Sequence, residues 1–293
     1  KNLSETEEMM EKGQRSWMDE ASIRVGNSKF KPGKQLKEMV DSTDILGRPK
    51  ELRKRIDNDG YVLLRGVLDE KTVLKARKVV VSALDSEWNV IDKKKGGGVM
   101  AAKMAGKSKG FLLTGYRPIT HHKDVLETLE NPILANLFAA IFEDTPTTFD
   151  NKWVRVQSTG QYTDEHSDFF RFAHCAHSLC VCWMPLGDYT PLDGTLAVCC
   201  GSHKLTGYTK SGMDMKSELP EGFEKFAKDA IWRTASFKAG DILIFDIRMV
   251  HASTMNTTDA FRISMDTRWQ PAKVQGGNHF GFKVFKPSDL ASG

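Results

Sequence analysis

From Pro146 to Pro271 the chain breaks into short runs of alternating apolar and polar residues, and no other feature limits its possible folds as much. The runs "TFDNKWVRVQ", "SLCVCWMPLGD", "GTLAVCC", "ASFKAGDILIFD", "MVHASTMN" and "FRISMDTRWQP" are separated by turn residues that include Gly-Asp and Asp-Gly pairs. Successive side chains on a strand point to opposite faces, so each run offers one face to a core. Several short strands at this spacing argue for a sandwich or barrel rather than a parallel sheet.

The first half reads differently. A short helix ending at Gly60 leads into the apolar strand Tyr61 to Leu64. Asp69 then stands as an N-cap ahead of Val73, Leu74, Ala76, Val80 and Leu84 at helical spacing, and a later helix opens with Asn131 as cap and Pro132 in its first position. Helices followed by strands predict one α+β domain over residues 51–293, a double-stranded barrel buttressed by helices. Residues 1–50 are polar and charge-rich, with an amphipathic helix expected around "SETEEMMEKGQRSWMDEA", and read as a wrapping arm. The segment 93–110, with six lysines and three consecutive glycines, reads as a mobile loop, either a solvated one or a lid that cradles an anionic substrate.

Composition removes several classes. A hydrophobic fraction of 40% with 27% charged residues is that of a soluble globular protein. No uninterrupted apolar run approaches the roughly 20 residues of a membrane span. A net charge of +4 from 42 basic and 38 acidic residues lacks the basic stripe of a nucleic-acid binder. All five cysteines, Cys175, Cys180, Cys182, Cys199 and Cys200, crowd into one stretch whose spacing fits no zinc template. They read as small buried hydrophobes and, being reduced thiols, point to a cytoplasmic protein.

The chemistry is concentrated in "YTDEHSDFFRF". On a strand, His166 and Asp168 would share a face, and an imidazole beside a carboxylate suits non-haem Fe(II) once a second histidine joins from another strand. His251, after the apolar strand Ile242 to Phe245, is the best candidate. Arg262 on the following strand supplies the guanidinium fork that a dicarboxylate needs at its far end. Phe169 and Phe170 are expected beside the metal, one facing the pocket and one the core. Arg155 and Gln157, alternate residues on the preceding strand, are expected to reach into the pocket. Arg268 reads either as a packed surface ion pair or as a residue at the pocket mouth.

Together "DGYVLLRGVLD", the His166-Ser167-Asp168 triplet, "WMPLGD", "DGTLAVCCGSHK", "AGDILIFD", His251 with Ser253, and Arg262 with Ser264 resemble the phytanoyl-CoA dioxygenase type of Fe(II)/2-oxoglutarate-dependent oxygenases, from about residue 51 to 272. The resemblance implies a double-stranded β-helix of the jelly-roll or cupin kind. It implies iron on His166, Asp168 and His251, and 2-oxoglutarate held by Arg262 with help from Ser253 and Trp183. It further implies dioxygen as oxidant, and hydroxylation, desaturation or rearrangement of a small organic substrate with release of succinate and CO2. Two alternatives stay open: a non-catalytic binding protein on the same barrel, and a metal cupin that uses no 2-oxoglutarate.

Overall fold

The computed structural model describes residues 16–95, 98–101, 111–113, 115–172, 178–208, 218–274 and 282–285. In chain order its strands are β1 (Ile23–Val25), β2 (Ser28–Phe30), β3 (Leu36–Glu38), β4 (Tyr61–Leu64), β5 (Phe111–Leu112), β6 (Pro146–Phe149), β7 (Trp153–Gln157), β8 (Cys180–Pro185), β9 (Leu196–Cys199), β10 (Trp232–Thr234), β11 (Ile242–Asp246), β12 (His251–Ser253), β13 (Arg262–Pro271) and β14 (Phe282–Val284).

They form two main sheets and a hairpin. The large sheet runs β14-β6-β13-β8-β11-β4, with β7 also on β13 and β5 on β7. The small sheet runs β12-β9-β10-β3, and β1 pairs with β2. Within the large sheet every pairing is antiparallel. Strands joined to helices in this way make an α+β protein.

The period-2 alternation decides which side chain faces what. On β8, Cys180, Cys182 and Met184 join the outer core beneath the helices, whereas Val181 and Trp183 join the layer between the sheets. On β11, Ile242 and Ile244 face out and Leu243 and Phe245 face in. The small sheet contributes Leu196 and Val198 to the inner layer and sends Ala197 and Cys199 to a third cluster on its far side. Strand β13 is buried along its whole length. Its Ile263, Met265 and Trp269 enter the outer core, while Arg262, Ser264, Asp266 and Arg268 lie on the opposite face. A buried strand face made of charged residues has no packing rationale, because desolvating each charge costs energy that only a specific partner offsets.

The helices Pro49–Asp59, Glu70–Ser86, Lys123–Leu129 and Pro132–Phe142 cover the outer face of the large sheet through Leu52, Val73, Val80, Leu134 and Phe138. Asp69 accepts the Thr72 amide as an N-cap, and Asn131 caps the last of these helices at Ile133 N. Among the described residues, the stretch Lys123–Phe142 is apolar and long enough at 20 residues to cross a membrane. It is broken at Glu130 and Asn131, and Val125, Leu129, Leu134, Phe138 and Ile141 are spent on the core.

Residues 16–38 of the stretch read as an arm supply β1, β2 and β3, with Trp17, Ile23, Val25, Phe30 and Leu36 packed against Trp232 and Ala252. Residues 17–19 form a 3-10 turn; the rest of the expected amphipathic helix up to residue 15 lies outside the described residues. Of the segment 93–110, only 93–95 and 98–101 are described. Here Lys95 pairs with Asp259 at 3.0 Å, and Val99 bridges Ala260.

Candidate active site

His166 and His251, far apart in sequence, face each other as an antiparallel pair. Each amide donates to the other's carbonyl, at 3.0 and 2.9 Å. A pair of this kind places both side chains on the same side, and the ring centroids stand 4.2 Å apart. The expectation of an alternating strand through Asp168 is corrected. His166 is an isolated bridge, and the chain then turns into the helical turn Phe169–Phe172. Asp168 therefore arrives from a turn, yet its Oδ1 lies 3.8 Å from His166 Nε2. One donor atom from each of His166, Asp168 and His251 falls within 4.8 Å of the other two.

Two details prepare this set for a cation. His166 Nδ1 lies 2.8 Å from the Asp164 carbonyl, and His251 Nδ1 lies 3.0 Å from the Met249 carbonyl. A carbonyl only accepts, so each Nδ1 carries the proton and each Nε2 keeps its lone pair for a metal. Burial, reinforced by the neighbouring His166, pushes His251 down from 6.5 to about 3, so its ring is neutral at physiological pH. Burial alone would raise the Asp168 carboxyl, but Arg268, His251, His166 and Arg155 outweigh it and hold the group well below the usual carboxylate range. Two imidazoles and one carboxylate, leaving other positions open, match the donor set that non-haem Fe(II) takes.

Arg268 is neither on the surface nor at a mouth. It is buried, donates from Nη2 to Asp168 Oδ2 at 2.5 Å, and pairs through Nη1 with Asp266. Its guanidinium lies 3.9 Å from the Trp153 ring centroid and 5.3 Å from that of Phe172. With Oδ2 of Asp168 taken by Arg268, Oδ1 is the oxygen left to face the histidines.

A small cavity opens between the sheets, lined by Arg155, Trp183, His166, His251, Ser253, Arg262, Asp266 and Arg268 with Thr163 and an apolar wall of Val181, Leu196 and Phe245. Arg262 is pinned by three acceptors. Nε donates to the Gly194 carbonyl at 2.9 Å, Nη1 to Ser264 Oγ at 2.5 Å, and Nη2 to Gln157 Oε1. Gln157 stands directly opposite Arg262 across the β7–β13 ladder. It serves Arg262 and is not part of the cavity lining. Gly194 has φ +96°, and a Cβ there would meet Gln157 Nε2 at 2.4 Å, so glycine is required beside this arginine. Burial lowers Arg262 to about 10, which still leaves it charged at neutral pH. Ser253 Oγ accepts the Thr163 amide at 2.7 Å, leaving its hydroxyl proton free to be donated.

Arg155 lines the cavity and is bound to Asp266 at 2.7 Å through Nε, with 30% of its side chain exposed. Phe169 and Phe170 do not line the cavity. Because the chain turns helical at Phe169, their rings meet edge to face at 5.7 Å and both contact Tyr208. Of the five cysteines, Cys180, Cys182 and Cys199 are buried free thiols and Cys200 is half-buried; Cys175 lies outside the described residues. His203 Nε2 meets the Asp57 carbonyl at 3.1 Å, a structural contact. Sequence reasoning missed Asp266, although the polar residues at every second position of "RISMDTR" carried its signal.

The family model for phytanoyl-CoA dioxygenase matches residues 56–264. A 1-deoxypentalenic acid 11-beta-hydroxylase of Streptomyces exfoliatus is 26% identical over 273 residues, covering 86% of this chain and 90% of that protein. The epimerase SnoN, solved with Fe3+, alpha ketoglutarate and nogalamycin RO, superposes with a TM-score of 0.61 at 20% identity over 78% of this chain and 86% of its own. The apoform of EctD from S. alaskensis gives 0.58 at 16% identity over 95% of both chains. At these identities the structures speak for the fold alone. The family match, spanning both histidines, Asp168 and Arg262, carries more: this chain belongs to the phytanoyl-CoA dioxygenase family and is an Fe(II)- and 2-oxoglutarate-dependent dioxygenase.

Proposed function

We propose that this protein hydroxylates a small organic acid at an unactivated carbon, using iron held by His166, Asp168 and His251 and 2-oxoglutarate held by Arg262, Ser253 and Trp183. The observation that carries the reading is the convergence of one donor atom from each of His166, His251 and Asp168 at a cavity that a pinned, buried arginine also lines. We read the two sheets as a double-stranded β-helix spanning one domain, residues 51–293, with residues 1–50 as its arm.

Iron, when bound, supplies the oxidation of an unactivated C–H bond by dioxygen, coupled to conversion of 2-oxoglutarate into succinate and CO2. The residues position the reactants. Arg262, fixed by Gly194, Ser264 and Gln157, offers its remaining N–H groups to the far carboxylate of the cosubstrate, and Ser253 donates its hydroxyl to the same group. Val181, Leu196 and Phe245 exclude water from one side. Asp168 fills the position that a halogenating enzyme of this type leaves for chloride, which favours hydroxylation.

The charge inventory supports an acidic substrate. Of the three cavity arginines, Arg268 is used by Asp168 and Asp266, and Arg262 is reserved for the cosubstrate. Arg155 spends Nε on Asp266 and reaches its other oxygen from Nη2 at only 3.5 Å, leaving Nη1 for a ligand carboxylate. The relative named above acts on a carboxylic acid. Free, buried strand thiols support a cytoplasmic setting.

Anaerobic addition of Fe(II) and 2-oxoglutarate to metal-free protein tests the reading. A weak visible charge-transfer band is expected, absent in His166→Ala and weakened in Arg262→Ala. No band in the parent would favour a cupin that uses no 2-oxoglutarate. For the substrate, Arg155→Ala should raise KM for carboxylic acids by about 10- to 100-fold while leaving neutral esters and 2-oxoglutarate within about twofold. Equal loss on acids and esters would remove the acid assignment.

A further inference from the structure

The β1–β2 hairpin lies outside the residues matched by the family model, yet its tip grips both segments that carry the candidate metal ligands. Val25 bridges Thr254, the Gly26 amide donates to the Ser253 carbonyl at 3.1 Å, and the Met255 amide donates to the Arg24 carbonyl at 3.0 Å. On the other segment, the Glu165 carboxylate accepts the Asn27 amide at 3.0 and 3.1 Å and Asn27 Nδ2 at 3.0 Å. The Arg24 guanidinium lies over the Tyr162 ring at 5.1 Å. Glu165 immediately precedes His166; Ser253 follows His251 on the same strand.

The close fit is built into the backbone. Gly26 has φ +54°, and a Cβ there would fall 2.5 Å from Glu165 Cδ, so a larger residue would push the carboxylate off the turn. The hairpin has a firm base, because Ile23, Val25 and Phe30 are buried with Trp17, Leu36 and Trp232. The segment it holds is irregular and leans on one side only, on β12 and the residues after it. Residues 161–165 form no helix or strand, and β12, against which His166 lies, is the edge of the small sheet. Besides the reciprocal His166–His251 bonds, its backbone is held by the Ser253 amide to the Thr163 carbonyl at 3.2 Å, the Asn256 amide to the Gln161 carbonyl at 2.9 Å and the Thr163 amide to Ser253 Oγ at 2.7 Å, all from β12 and the residues that follow it. A metal ligand on such a segment loses affinity whenever the segment frays, so an outside clamp is worth metal affinity.

We propose that the N-terminal hairpin is a strap that positions His166 against His251, with Gly26, Asn27 and Glu165 as positioning residues. This rests on the reading of both histidines as metal ligands. Fe(II) dissociation constants, measured anaerobically on the full chain by competition with a chromophoric chelator, test it. Gly26→Ala and Glu165→Ala should each weaken Fe(II) binding by about 10- to 100-fold, the usual effect of removing support behind a ligand. Amide exchange should quicken at 162–167, and the melting temperature of the metal-free protein should fall by no more than about 4 °C. Glu165→Gln, whose amide oxygen still accepts from Asn27 N, should lose less than Glu165→Ala. Should Gly26→Ala fold poorly, the Glu165 pair carries the test.

Unchanged affinity in Gly26→Ala and Glu165→Ala, with metal lost in His166→Ala, would overturn the strap and leave the ligands standing. Equal losses in Glu165→Gln and Glu165→Ala would assign the effect to charge and overturn it as well. Undiminished binding in His166→Ala would bring down the ligand reading and the strap together.

Discussion

Arg262 shows how a single residue is tuned. Three fixed acceptors hold its fork, and burial lowers its pKa to about 10 without discharging it. Arg262→Ala should therefore raise KM for 2-oxoglutarate by about 100-fold, the value of roughly 2–3 kcal/mol for a charge-assisted pair. Gln157→Ala, which removes one of the three acceptors, should cost about tenfold; steady-state succinate release measures both. His251 makes the metal-free protein sensitive to acid. Between about 3 and 6.5 the unfolded chain binds a proton at this ring that the folded chain refuses, so stability falls as pH drops through that window. Asp168, held low in the fold, adds in the same direction below the ordinary carboxylate range. Thermal melts of chelator-treated protein at stepped pH should show the decline, and His251→Gln should flatten its upper part.

At the scale of elements, β13 does two jobs on two faces. Its outer face is anchored by Trp269, stacked on Phe138 at 4.9 Å and 10° and against Phe285 at 5.2 Å. Trp269→Ala should cost about 3–5 kcal/mol in urea unfolding while leaving KM for 2-oxoglutarate unchanged at temperatures where the variant is folded. The inner face carries Asp266 and Arg268, which join Arg155 of β7 and Asp168 in one ionic row. Removing one member of a buried set strands the others, at about 3–5 kcal/mol. Arg268→Met should thus lower the melting temperature, and by more without iron than with it, because a bound cation also compensates Asp168. Equal drops in both states would mean that Arg268 serves Asp266 alone.

For the whole molecule, the metal is an addition to a fold already sustained by three apolar clusters. Chelation should leave the far-ultraviolet circular dichroism unchanged. Fe(II) at 100 times its Kd should stabilise by about 2.7 kcal/mol, a shift of several degrees that His166→Ala abolishes. Both sheets contribute to the cavity, so the site depends on their packing as well as on either strand set.

The alternation after Pro146 and the caps at Asp69 and Asn131 determined by themselves the strands of the second half, the helices they open and the α+β class, because local periodicity and capping are short-range physics; the three strands of residues 23–38 were not legible there. The set His166, Asp168, His251 and Arg262 was legible because those side chains leave few uses for one another except around a cation and an acid. Only the tertiary structure decided the rest. The chain turned helical at Phe169, so the two phenylalanines left the cavity and Phe172 went beneath Arg268. Arg268 and Asp266 acquired meaning from the strand that runs opposite them. Glu165 and Gly26, remote in sequence, became partners because hydrogen bonds and close approaches depend on distance in space, which one-dimensional spacing does not record.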